Sequence, residues 1–281
     1  MTPWISPEAL QADLDAPDLR VVDVRSSLAD REAGRRAYRA GHLPGAFFLD
    51  LDTDLSDPPG RHGGRHPLPD PTRAAATFGA AGIGRETRVV VYDDAAGMIA
   101  GRLWWMLRWL GHERVQVLDG GVAAWLAAGG TLVTDVPRPA PAVFEPRVRD
   151  GVTVDRDWLL AHLGDPGVVV VDARAPERYR GEVEPIDPRG GHIPGAINRP
   201  FAENLEGGRF RPLVELADRY HDLQGAGTVV VYCGSGVSAA HDLMALEACG
   251  ITGARLYAGS WSDWVSYDDA QVALGAEPGG C

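Results

Sequence analysis

Cys233 opens the segment Cys233-Gly234-Ser235-Gly236-Val237-Ser238-Ala239, an arrangement that suits an activated thiol. Thr228 to Tyr232 before it has the β-branched composition of a buried strand. Val237 to Ala248 after it has helical length and periodicity, with Gly250 as a stop. Glycines at 234 and 236 let the loop curl so that backbone N–H groups face inward, and the helix dipole adds positive potential. Both effects favour thiolate over thiol, and thiolate is the nucleophile. The same amides would stabilise an anionic persulfide or a bound oxyanion. Cysteine phosphatase chemistry needs an arginine at the end of such a loop, and here that position is Ala239. A non-catalytic persulfide carrier or redox sensor would use the same residues as an enzyme.

The other reactive side chains read as structural. Cys249 near a helix end is a packed residue, and Cys281 at the terminus is an incidental exposed thiol. Three cysteines do not make a disulfide framework. His42 and His192 occupy matching Gly-His-x-Pro-Gly-Ala turns, which points to hydrogen bonding. His62 and His66 have the spacing of a metal pair but straddle Gly63 and Gly64 with no third ligand nearby, so no metal is expected. Trp104, Trp105 and Trp109 read as packing or domain-interface residues.

The elements that must position Cys233 occur twice. Val21-Val22-Asp23-Val24-Arg25 returns as Val170-Val171-Asp172-Ala173-Arg174, and Gly41-His42-Leu43-Pro44-Gly45-Ala46 as Gly191-His192-Ile193-Pro194-Gly195-Ala196. Val89 to Tyr92 returns as Val229 to Tyr232, and Gly120 to Trp125 as Gly259 to Trp264. Four blocks keep their order while their separation drifts from about 150 to about 140 residues, the mark of a duplicated domain with loop insertions. In the first copy Asp93 stands at the position of Cys233, so one copy is silent. Strands alternating with helices imply two α/β domains, each a mainly parallel sheet with helices on both faces. Ligands of such sheets sit at the carboxyl ends of the strands, which directs attention to the residues after Tyr92 and Tyr232. The proline-rich stretch around Asp135 to Pro146 predicts a stiff connector. The expected domains are therefore 1–135, silent, and 153–281, catalytic, joined by a linker over 136–152.

Composition excludes several classes. With 281 residues, 45% hydrophobic and 23% charged, the chain has the profile of a globular protein of about two domains. A net charge of −12 argues against nucleic acid as a partner. The longest apolar stretch, Met98 to Leu110, is broken by Arg102 and Arg108 and falls short of the roughly 18 residues of a membrane span. The N-terminus has no basic region followed by an apolar core, which predicts a cytoplasmic protein without a secretory signal.

Together the repeated blocks, the Cys233 loop and Gly259-Ser260-Trp261-Ser262-Asp263-Trp264 resemble the tandem-domain rhodanese sulfurtransferases, over nearly the whole chain. The resemblance implies two rhodanese-like domains, no cofactor, and a Cys233 persulfide that carries a sulfane sulfur from a small donor to cyanide or a thiol, with thioredoxin among the candidate acceptors. The thiosulfate branch carries basic residues after the cysteine. The loop here, with Gly234, Ser235, Gly236, Val237 and Ser238, is similar to that of the 3-mercaptopyruvate branch. That donor leaves as an enolate that needs a proton, whereas sulfite leaves without one. By resemblance, Ser235, His66 and Asp52 form the proton relay, with Asp50 and Asp54 as competitors for the acid. Arg178 and Arg189 match the arginines that bind the substrate carboxylate, although Arg189 is spaced differently from the family pattern and Arg180 is an alternative. Thiosulfate:cyanide transfer through the same cysteine is the alternative activity.

Overall fold

The structure is a computed structural model that describes residues 2–279, so the reading of Cys281 lies outside the described residues. The chain divides into two units. One holds the chain up to Asp57, Leu68–Arg149 and Gly207–Phe210; the other holds Pro58–Pro67, Asp150–Glu206 and the chain from Arg211 onward.

Each unit contains a five-stranded parallel sheet. In the first, β1 (Trp4–Ile5), β2 (Leu19–Asp23), β3 (Phe47–Phe48), β4 (Arg88–Tyr92) and β5 (Val115–Leu118) lie in the order β1-β5-β4-β2-β3. In the second, β6 (Thr153–Val154), β7 (Val168–Asp172), β8 (Ile197–Asn198), β9 (Thr228–Tyr232) and β10 (Arg255–Tyr257) repeat that order as β6-β10-β9-β7-β8. The central strands are valine runs because helices cover both faces, leaving no face for polar residues. Val89–Val91 and Val229–Val231 are all buried. In register, Tyr92 pairs with Asp23 and Tyr232 with Asp172, so Asp93 and Cys233 each leave the carboxyl end of a central strand.

The repeated blocks hold those strand ends. Asp172 forms a buried ion pair with Arg174, whose guanidinium also reaches the Gly191 carbonyl. The Tyr232 hydroxyl accepts from the Ile193 N–H at 3.1 Å. The first unit repeats this with Asp23, Arg25, the Gly41 carbonyl, Tyr92 and Leu43. The ring nitrogens of His192 lie 2.8 and 3.2 Å from the carbonyls of Tyr179 and Pro278, and those of His42 lie 2.8 and 3.1 Å from the carbonyls of Tyr38 and Asp135. Both histidines therefore tie their turns to neighbouring backbone, as their place in both copies suggested.

The proline-rich segment, expected as a stiff connector, packs along the first unit. Ala142, Arg147 and Arg149 donate backbone hydrogen bonds to the carbonyls of Gly79, Leu110 and Trp109, and the buried Phe144 ring packs edge-on against Phe78. The segment runs against the helix Pro71–Ala80 so closely that a Cβ on Gly79 would fall 2.6 Å from the Ala142 oxygen. Residues up to Arg149, expected in the linker, thus belong to the first unit, because Phe144 finds apolar cover there. Trp104, Trp105 and Trp109 are buried on the helix Ala100–Trp109, the last two stacked on each other. Among the described residues no helix is long and apolar enough to cross a membrane.

Candidate active site

Cys233 is buried, and its backbone is clamped on both sides. Its N–H donates to the Ser260 Oγ at 3.1 Å, its carbonyl accepts from the Trp261 N–H at 2.9 Å, and the Gly234 carbonyl accepts from the Ser262 N–H at 2.9 Å. Ser260 adopts a left-handed φ of 55°, unusual for a residue with a side chain, and its hydroxyl also donates to the Tyr257 carbonyl. Gly236 sits at φ 74°, where a Cβ would fall 2.3 Å from the Ala258 oxygen, so the loop curls only with glycine there. The helix that follows runs Ala239–Ala248, two residues shorter at its start than its periodicity suggested, because the loop occupies those positions. Val237 is buried, and Ser238 is the N-terminal boundary residue without a side-chain cap bond.

Pro58–Pro67 belongs to this second unit despite its place in the first half of the sequence. The Gly63 N–H donates to Asp263 Oδ1 at 2.7 Å and the Arg65 N–H to Ser262 Oγ at 3.1 Å. That anchoring brings His66 Nδ1 within 2.8 Å of Ser235 Oγ, with both residues buried. His62 instead stacks on Tyr267 and meets Ser266 Oγ at 2.8 Å. Among the described residues no group of three or more His, Cys, Asp or Glu is arranged to hold a metal ion.

Two guanidinium groups flank the loop. The Cβ position of Gly234 lies 2.9 Å from Arg65 Nη2 and 3.6 and 3.7 Å from the Arg178 nitrogens. Arg178 forks onto Glu184 at 3.1 and 2.7 Å, and Asp187 pairs with both Arg65 and Arg178. Burial pulls the Glu184 carboxyl up, but the Arg178 hydrogen bond and the Asp187 and Ile186 amides outweigh it and hold the group below its ordinary value. For Asp187 burial wins, aided by the Glu184 charge, and the carboxyl is raised against the pull of Arg65, Arg178 and Arg174.

Arg189 is placed elsewhere. Its guanidinium donates to the carbonyls of Ala270 and Tyr267, at 3.1 and 3.2 Å, and Arg180 pairs with Glu182. The second arginine at the loop is Arg65, which the sequence reading passed over; its one local signal is that it precedes His66. Asp52 lies in the first unit, in a turn where its N–H donates to Asp50 Oδ1 and its carboxylate is 3.4 Å from Arg31. Asp50 and Asp54 share that turn, with the Asp50 N–H donating to Asp54.

The model of the rhodanese-like domain matches the chain twice, over residues 6–128 and 155–267. The chain belongs to the rhodanese family of sulfurtransferases. The chain is 46% identical to a probable 3-mercaptopyruvate sulfurtransferase of Pseudomonas aeruginosa, over 96% of this chain and 98% of that protein. It is 35% identical to a thiosulfate sulfurtransferase of Azotobacter vinelandii, over 96% of each. The crystal structure of SseA from Escherichia coli, described as a 3-mercaptopyruvate sulfurtransferase with the rhodanese fold, superposes with a TM-score of 0.80 at 30% identity, covering 93% of this chain and 100% of that one. Such relatives place small-molecule sulfur donors and acceptors at the centre of its chemistry.

In the first copy the loop amides after the central strand converge on one side chain. The Asp93 carboxylate accepts from four backbone N–H groups, those of Ala95, Gly97, Ile99 and Ala100, at 2.8 to 2.9 Å. Its carbonyl accepts from Val122 N–H, as that of Cys233 does from Trp261. The loop after a central strand is thus an anion cradle, and in this copy a side chain of the chain itself fills it.

Proposed function

We propose that this sulfurtransferase takes its sulfur from 3-mercaptopyruvate and passes it to cyanide or a thiol through a persulfide on Cys233, with the first copy silent. The observation that carries the reading is the 2.8 Å contact of Ser235 Oγ with His66 Nδ1, in a loop that has no Lys or Arg between Cys233 and Ala239. The Cys233 thiolate attacks the donor sulfur, the carbon–sulfur bond breaks, and its electron pair leaves on the pyruvate enolate. Ser235 delivers a proton to the enolate and is recharged through His66. The thiol proton of the donor is released from the new persulfide, so the relay ends as it began. Cyanide or a thiolate then attacks the outer sulfur, the S–S bond breaks, and the thiolate of Cys233 returns.

Arg178 supplies a positively charged N–H donor for the donor carboxylate, through the Nη1 that its pairs with Glu184 and Asp187 leave over, and the amides of Gly234, Gly236, Val237 and Ser238 cradle the developing charge. A cytoplasmic site and thioredoxin as an acceptor complete the proposal. Thiosulfate is the second reading, favoured by the two arginines at Gly234.

Steady-state rates with both donors, for wild type and Ser235→Ala, test the reading. Wild type is expected to prefer 3-mercaptopyruvate, with Ser235→Ala losing about 100-fold with that donor and far less with thiosulfate. A wild-type preference for thiosulfate that is indifferent to Ser235 overturns it. A gain of about 32 Da on Cys233 that forms but never turns over would make the protein a persulfide carrier or sensor.

A further inference from the structure

We propose that Asp187 is a specificity-determining positioning residue, whose carboxylate neutralises the arginine pair beside Cys233 and so selects donors carrying one negative charge over dianions. The inference rests on the reading of Cys233 as the sulfur acceptor. Its basis is the turn Glu184-Pro185-Ile186-Asp187. Glu184 Oε1 accepts from the N–H groups of both Ile186 and Asp187, at 3.1 Å each, which folds the turn back on itself. Asp187 is thereby aimed between Arg65 and Arg178, with its side chain only 4% exposed. Both guanidinium groups contact that carboxylate directly and favour its ionised form, against the burial that raises it.

Taken together, Arg65 and Arg178 carry two positive charges, and Glu184 and Asp187 carry two negative ones. A cationic pair alone beside Gly234 would favour thiosulfate, a dianion. With its charge cancelled, the pair keeps directional N–H donors for a carboxylate but little net attraction. Because the repulsion from Asp187 scales with the charge brought near it, a dianion is penalised twice as heavily as a monoanion. Discrimination by a repulsive group of this kind needs no new contact with the favoured substrate.

The test is the ratio of kcat/KM for thiosulfate to kcat/KM for 3-mercaptopyruvate, in wild type, Asp187→Asn and Arg65→Gln. Asp187→Asn keeps the shape of the side chain, and its ratio is expected to rise about tenfold, carried by a lower KM for thiosulfate. Arg65→Gln is expected to lower the ratio, since it leaves the carboxylates in excess. An unchanged ratio in Asp187→Asn, or a shift in the same direction in both variants, overturns the inference. Should Asp187→Asn fail to fold, Arg65→Gln decides alone, with a fall supporting the proposal and anything else overturning it. The ratio is read relative to wild type, so it holds whichever donor the wild type prefers. An active wild type whose ratio does not respond defeats the role of Asp187 alone, whereas a wild type inert with both donors defeats the proposed function itself.

Discussion

Gly236 shows how strictly the loop constrains a single position. Its φ of 74° is costly for any residue with a Cβ, and that Cβ would lie 2.3 Å from the Ala258 oxygen, a backbone atom that cannot swing aside. Gly236→Ala is therefore expected to cost about 2 kcal/mol or more in stability and to slow persulfide formation by at least about tenfold. Denaturant midpoints and the rate of sulfur gain on Cys233, followed by mass spectrometry, check both parts. Ser260 holds a similar φ with its hydroxyl bonded to the Cys233 amide, so a strained residue also positions the backbone of Cys233.

The helix Ala239–Ala248 follows the loop and carries a buried polar group of its own. Asp242 accepts from Asn204 at 2.7 Å and from the Tyr220 hydroxyl at 3.2 Å, and burial pushes its carboxyl up to about 7 against the pull of Arg219 and those hydrogen bonds. Because this value lies above the ordinary 3.8, the folded protein holds the proton more tightly than the unfolded chain. The stability it contributes is complete below about pH 4 and is lost as pH rises towards 7. Asp242→Asn is expected to flatten that part of the stability profile, by a few kcal/mol at most. Urea midpoints at pH 5 and pH 8 measure it: a wild-type decline that persists unchanged in Asp242→Asn excludes this carboxyl as its source. At the same scale, the valine strands, the Asp-x-Arg pairs and the Gly-His-Pro-Gly turns were legible in sequence because each repeats with fixed local spacing. The prolines of 136–149 read as a stiff connector, while Phe144 decides where that segment packs.

Across the whole molecule, the chain does not fold as its linear order suggests. Residues 58–67 complete the second unit, and with them come His66 and Arg65. His66→Ala is expected to reduce kcat with 3-mercaptopyruvate by about 100-fold and to spare thiosulfate turnover, which needs no proton. Equal losses with both donors would mark His66 as a packing residue of the loop instead. The sequence by itself determined the duplication and the α/β class and singled out Cys233 as the candidate nucleophile, since each rests on short local blocks that can be recognised wherever they stand in the chain. Only the tertiary structure decided which basic groups stand at the loop. Arg189 is committed to the Ala270 and Tyr267 carbonyls, and Arg65 takes the place beside Gly234. The His66–Ser235 contact joins residues 169 positions apart, and local spacing carries no information at that range. The resemblance supplied the pair, but its distance exists only once the loop anchors on Ser262 and Asp263.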